Sequence, residues 1–302
     1  MMIVPYSRLA FSVIIPTWTL FLVDTATSDS TSWHESFRDE VNARDATEAP
    51  KLTKRAQSGN QGRVFPLFDN TIKPNDISYM RQGIIDLIEL VTYVAENPNQ
   101  QSLDRYFAPQ HHADVTSIFN AVRRMSVPRG IPENQRIPDF RPYSLSDITV
   151  AREKNGAFGP LAESFYVNRT STEPSLIVIY DFGWTALWQR RRQDLACQRD
   201  IGPKTNYKMY FLGSLFLHEV LHFHIVSQIA WTDRISNLTD QDGAYCKLSE
   251  DLRKAYGPWE AMQLLQRNAA LARLNIENYV WYALVGHRVL APPFAHRAYI
   301  ID

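Results

Sequence analysis

Apolar side chains recur every three or four positions along residues 77–96, where Ile84, Ile85, Leu87, Ile88, Leu90, Val91 and Val94 line one broad face, and this spacing predicts a helix. Residues 112–125 carry the same period and predict a second one. The pattern then shortens. Residues 147–151, 164–167 and 175–180 are brief β-branched or aromatic runs separated by Pro, Gly and Asn, which predicts the strands of a small sheet. Helical spacing returns in the last third, most clearly over 207–230, 259–270 and 276–290. No segment repeats another. Helices, then strands, then helices predict a single α+β domain over residues 63–302, mainly helical with a small β-sheet.

Two stretches fall outside that pattern. Arg8 precedes a mostly apolar run, residues 9–23, which gives way to Thr25-Ala26-Thr27-Ser28, the charged, apolar and small-residue order of a secretory signal peptide over residues 1–28. The run is shorter than the roughly 20 residues a spanning helix needs and Pro16 interrupts it, which argues against a membrane anchor. Residues 29–62 are polar and aperiodic, so they predict a linker or pro-segment rather than a packed core. Within it the dibasic pair Lys54-Arg55 is a candidate processing site, cleaved after Arg55, with a solvated charge pair as the competing reading.

Composition narrows the partners. Of 302 residues, 45% are hydrophobic and 21% charged, and Lys plus Arg equals Asp plus Glu at 32 each, so there is no basic excess to hold nucleic acid. The two cysteines, Cys197 and Cys246, suit one disulfide in an exported chain, with two buried thiols as the alternative; they are too few for a structural zinc ribbon. Asn168-Arg169-Thr170 and Asn237-Leu238-Thr239 are glycosylation sequons. The expected protein is a secreted monomer, not held at a membrane once its signal is removed.

Candidate chemistry sits in the apolar run Leu215-Phe216-Leu217-His218-Glu219-Val220-Leu221-His222. The four-residue spacing puts His218 and His222 on one helix face, where two imidazoles can meet one zinc ion. Glu219, next to the first imidazole, is placed to take a proton from an activated water, as peptide hydrolysis requires. The competing reading is a core helix with two satisfied histidines. His224 lies two residues beyond His222, off that face, and is read as structural or supporting. A third protein ligand must come from downstream, where Asp233, Asp242, Glu250, Asp251, Glu260 and Glu277 are candidates that spacing does not separate. Ile225 and Gln228 occupy the positions where a metzincin carries Gly and His.

His218-Glu219-Val220-Leu221-His222 followed by Thr239-Asp240-Gln241-Asp242-Gly243-Ala244-Tyr245 resembles the aspzincin pattern of deuterolysins and fungal lysine-specific metalloendopeptidases. Ala255-Tyr256-Gly257-Pro258, the run from Asn275 to Ala283, and Arg105-Tyr106-Phe107 are similar to other segments of the secreted fungal members, so the likeness spans about residues 63–290. It implies a zincin-like catalytic domain with its HExxH motif on a central helix, one catalytic Zn2+, and a protein or peptide substrate. It also implies Asp242 as third ligand and Tyr245 as the phenol that steadies the oxyanion. Two departures stand out: Asn237-Leu238-Thr239 replaces the usual Gly-Thr placement, and Cys246 stands where Gly is usual. Tyr256-Gly257, paired with Asp251, is a second match to the Tyr-Gly end of the motif. The departures leave open an inactive interaction protein on the same scaffold. A gluzincin-like site, with Glu250, Glu260 or Glu277 as ligand, is the third reading.

Overall fold

Helix α1 (Pro74–Glu96) starts at a proline, which has no N–H to leave unsatisfied in a first turn, and so begins three residues before its apolar period does. It buries Met80, Gly83, Ile84, Leu87, Ile88, Val91 and Val94, the stripe that its period marks out. In this computed structural model the described residues are 62–136, 142–154, 161–165, 174–188, 209–230, 238, 242–245 and 252–290. The expected signal segment, nearly all of the polar linker, Lys54-Arg55, both cysteines and both sequon asparagines lie outside them.

After α1 come α2 (Gln100–Tyr106), capped by Asn99 Oδ1 accepting from the Ser102 amide at 2.8 Å, and α3 (His112–Met125). The sheet follows. Strands β1 (Leu67–Phe68), β2 (Ile148–Glu153), β3 (Ala162–Phe165) and β4 (Ser175–Tyr180) form one mixed sheet in the order β1-β2-β4-β3. β1, β2 and β4 run parallel, with Ile148 opposite Ser175 and Glu153 opposite Tyr180; β3 is antiparallel to β4, with Ala162 opposite Ile179. Ile177, Val178 and Ile179 of β4 are all buried, as expected of a central strand covered on both faces. Helix α4 (Asp181–Leu187) leaves β4 directly, and Arg152 of β2 fastens it to α1 by pairing with Asp181 at 2.7 Å and Asp76 at 2.8 Å.

The predicted helix over 207–230 is two helices among the described residues, α5 (Leu212–Leu221) and α6 (His224–Ala230). No Pro or Gly marks the break; α6 turns away to pack on α3, burying Ile225 and Val226. The predicted helix over 259–270 likewise divides into α7 (Pro258–Arg267) and α8 (Ala269–Leu274), because the Asn268 side chain accepts from the Leu271 amide and starts a new helix. Strands β5 (Asp242–Tyr245) and β6 (Leu252–Lys254) form a separate antiparallel pair, and α9 (Ile276–Leu290) closes the described chain. The result is a mainly helical α+β fold with a small mixed four-strand sheet. No helix among the described residues is long and apolar enough to cross a membrane.

Every residue of α5 is buried, with α1 and α9 among the helices packed around it. Its crossing with α1 is close: a methyl on Gly213 would lie 2.8 Å from the Leu87 amide nitrogen and 2.9 Å from the Gly83 carbonyl oxygen. Backbone atoms cannot yield as a side-chain tip can. Gly213→Ala is therefore expected to lower stability by about 1–3 kcal/mol, read as a lower urea midpoint. Gly286→Ala in α9, whose methyl would find nothing nearer than 3.7 Å, should be neutral or stabilising by up to about 1 kcal/mol.

Candidate metal and catalytic centre

The last turn of α5 carries His218 and Glu219, and His222 is the residue that caps it, still with helical dihedrals (φ −67°, ψ −21°). The helix break after His222 thus leaves the one-turn spacing of the two imidazoles intact. Their ring centroids are 5.1 Å apart with planes inclined at 64°. His218 and Glu219 are buried, at 8% and 3% exposure, whereas His222 is half-buried, so the pair opens toward one side.

A carboxylate stands behind His218. Nδ1 of the ring lies 2.9 Å from Glu277 Oε1, within hydrogen-bond reach of an oxygen that accepts when Nδ1 carries the ring proton. Glu277 Oε2 accepts from the Trp281 indole N–H at 2.7 Å and from the Gly257 amide at 3.1 Å, and the Tyr210 hydroxyl reaches Oε1 at 3.5 Å. Asn278 holds this end of α9 in place by donating to the carbonyls of Tyr106 at 2.7 Å and Ala261 at 3.0 Å. Glu277 was a candidate third ligand by sequence. Its oxygens face these donors, and the carboxylate stands against the Nδ1 side of the first imidazole.

The β5–β6 pair leads into the Gly257 contact. Asp242 is opposite Lys254 and Tyr245 opposite Leu252, and the chain runs on from Lys254 through Ala255 and Tyr256 to Gly257, whose amide is held by Glu277. Gly257 has φ +92°, a conformation that glycine adopts without strain. The Tyr256 ring lies 6.2 Å from the His218 ring, so the second Tyr-Gly match of the sequence is at the centre. The side chains of Asp242 and Tyr245, and all of Asp233, Glu250 and Asp251, lie outside what is described. Glu260, half-buried, stands in the first turn of α7. Among the described residues no three His, Cys, Asp or Glu side chains gather as a metal-binding group.

Two further titratable groups have shifted pKa values. The Tyr180 hydroxyl donates to Glu163 Oε2 at 2.8 Å, tying β4 to β3. Its pKa is pushed up to about 12, by burial first, then by Glu163, then by the charges of Glu153 and Glu219. His224 opens α6, and burial, helped by the charge His222 can carry, holds its imidazole below the usual range.

The residue types suit zinc as far as they are described: two imidazoles lie one turn apart, the first is backed by the Glu277 carboxylate, and a buried glutamate, Glu219, is next to it in sequence. Sequence reasoning missed the supporting roles of Tyr210 and Trp281; the one-turn spacing of Glu277 and Trp281 was the available signal. In comparisons with known proteins, no family model and no curated protein matches this chain.

Proposed function

We propose that the protein is a secreted zinc-dependent endopeptidase of the aspzincin type, a zincin-like enzyme that acts as a monomer on protein or peptide substrates. The observation that supports this reading is the HExxH run on a buried helix, with the His218 and His222 rings one turn apart at 5.1 Å and Glu277 behind the first. His218 and His222 would hold the ion, with Asp242 completing the set by resemblance.

When bound, zinc supplies a Lewis acid that polarises the scissile carbonyl and acidifies a water. Glu219, 3% exposed, accepts the proton of the attacking water and returns it to the departing amine, a role that favours a carboxylate held away from bulk solvent. A phenol aimed at the developing oxyanion stabilises it; Tyr256 is beside His218, and Tyr245 stays the candidate that the resemblance supplies. β3 lies at the edge of its sheet beside α5. An extended peptide adding to that edge would run alongside the sheet that packs on α5.

Purified protein should hold one zinc and cleave unfolded protein substrates, and His218→Ala should lose both properties. Intact wild type that takes up zinc and cleaves nothing in a broad peptide panel would reject the enzymatic reading.

A further inference from the structure

The turn that follows α3 carries positive charge with no carboxylate against it. Residues 123–136 contain four arginines, Arg123, Arg124, Arg129 and Arg136, and one carboxylate, Glu133. Arg123 pairs with Glu96 at 2.8 Å. The other three arginines are exposed and make no ion pair among the described residues. Arg124 donates to the neutral amide of Gln135 at 2.6 Å. Arg136 donates to the carbonyls of Ile131 at 3.0 Å and Arg129 at 3.4 Å, and its guanidinium lies 4.8 Å from the centre of the Tyr143 ring. These contacts fix two guanidinium groups in place without neutralising either. Arg129 stands where the backbone does not favour it. The Gly130 amide donates to the Val127 carbonyl at 2.9 Å, closing a turn with Pro128 second and Arg129 third, and Arg129 takes φ +86°, where glycine is the usual residue. A charged side chain held there against backbone preference points to a use for its charge.

The N-terminal chain joins the fold at the same place. The Val64 amide donates to the Ser126 carbonyl at 3.1 Å, which bonds residue 64 to the arginine turn. Upstream of it the charges are sorted. Residues 29–48 carry six carboxylates, Asp29, Glu35, Asp39, Glu40, Asp45 and Glu48, against Arg38 and Arg44, whereas residues 49–63 carry Lys51, Lys54, Arg55 and Arg63 and no carboxylate. The geometry points to an intramolecular contact in which the acidic stretch 29–48 docks on Arg124, Arg129 and Arg136, and from which cleavage after Arg55 releases it. Residues 49–61 can span up to about 45 Å, ample to lead back from Val64 to the turn it is bonded to. Exposed ion pairs are weak one by one, so a free peptide of this composition binds such a surface poorly. Tethered in the same chain, the stretch meets the turn at an effective concentration of about the millimolar range, and cutting the tether removes that advantage. Lys54-Arg55 lies between the acidic stretch and the fold, where a cut has that effect. The contact involves neither His218 nor His222 and is independent of zinc.

The test is arginine modification by phenylglyoxal, mapped by mass spectrometry on protein that retains residues 29–62, with exposed Arg267 of α7 as internal control. At low salt Arg124, Arg129 and Arg136 should react about 3–10-fold more slowly than in a variant whose six carboxylates are changed to Asn and Gln. The difference should vanish at about 0.5 M salt, and Arg267 should react alike in both proteins. Cutting after Arg55 and diluting should bring wild type to the rate of the variant. Arg129→Gly removes a charge and suits the turn, so it should fold at least as stably as wild type while speeding the modification of Arg124 and Arg136. Equal rates for the three arginines in wild type and the carboxylate variant overturn the inference, and so does an equal slowing of Arg267, which marks a general charge effect. Protection that grows with protein concentration overturns it too, by placing the stretch on a second copy of the chain. Protection that survives cleavage and dilution overturns the release at Lys54-Arg55.

Discussion

Glu219→Gln is expected to fold, to keep its zinc, and to lose about 10²–10⁴-fold in kcat/KM for peptide hydrolysis. Size and shape are conserved, and the ligands His218 and His222 are untouched, so binding of the ion should change little. What disappears is the basic oxygen: an amide does not accept a proton at neutral pH, and the attacking water keeps its own. The carboxylate is almost fully buried in the last turn of α5, where few solvent molecules can stand in for it. The measurement is a paired one, zinc stoichiometry and initial cleavage rates on the same preparations. A variant as active as wild type would remove Glu219 from the chemistry. It would also favour the inactive-scaffold reading if the wild-type rate were itself no higher than that of His218→Ala.

The parts of this molecule that could be read in advance are those whose information is local. The stripe of α1 and the ends of α3, β4 and α9 follow from periods written into a few consecutive turns or residues, and the sequence places them to within about three residues. Short elements are less legible. α2 has seven residues and owes its start to the Asn99 side chain, and α4 follows β4 with no turn signal between them. The break after His222 could not be seen because nothing local causes it; α6 follows the surface of α3. The centre divides in the same way. The one-turn spacing of His218 and His222 is local and was legible, while the bond from His218 to Glu277 joins residues 59 positions apart. Sequence offered Glu277 as one ligand candidate among several on its chemistry alone, and only the fold brings it against Nδ1 of His218.

Trp281→Ala should lower folding stability by about 3–5 kcal/mol, the cost of deleting a large, fully buried aromatic side chain. Its indole also donates to Glu277 at 2.7 Å, so the packing loss and the loss of a charged hydrogen bond are combined in that variant. Trp281→Phe separates them. It keeps much of the ring volume and removes the N–H, leaving Glu277 Oε2 with the Gly257 amide, and should cost about 1.5–3 kcal/mol. Urea unfolding of the metal-free proteins gives the stability differences without a contribution from bound zinc. If Trp281→Phe matches wild type in those titrations, the buried carboxylate does not depend on the indole, and its hold on His218 must then come from Gly257 and Tyr210 alone among the donors described.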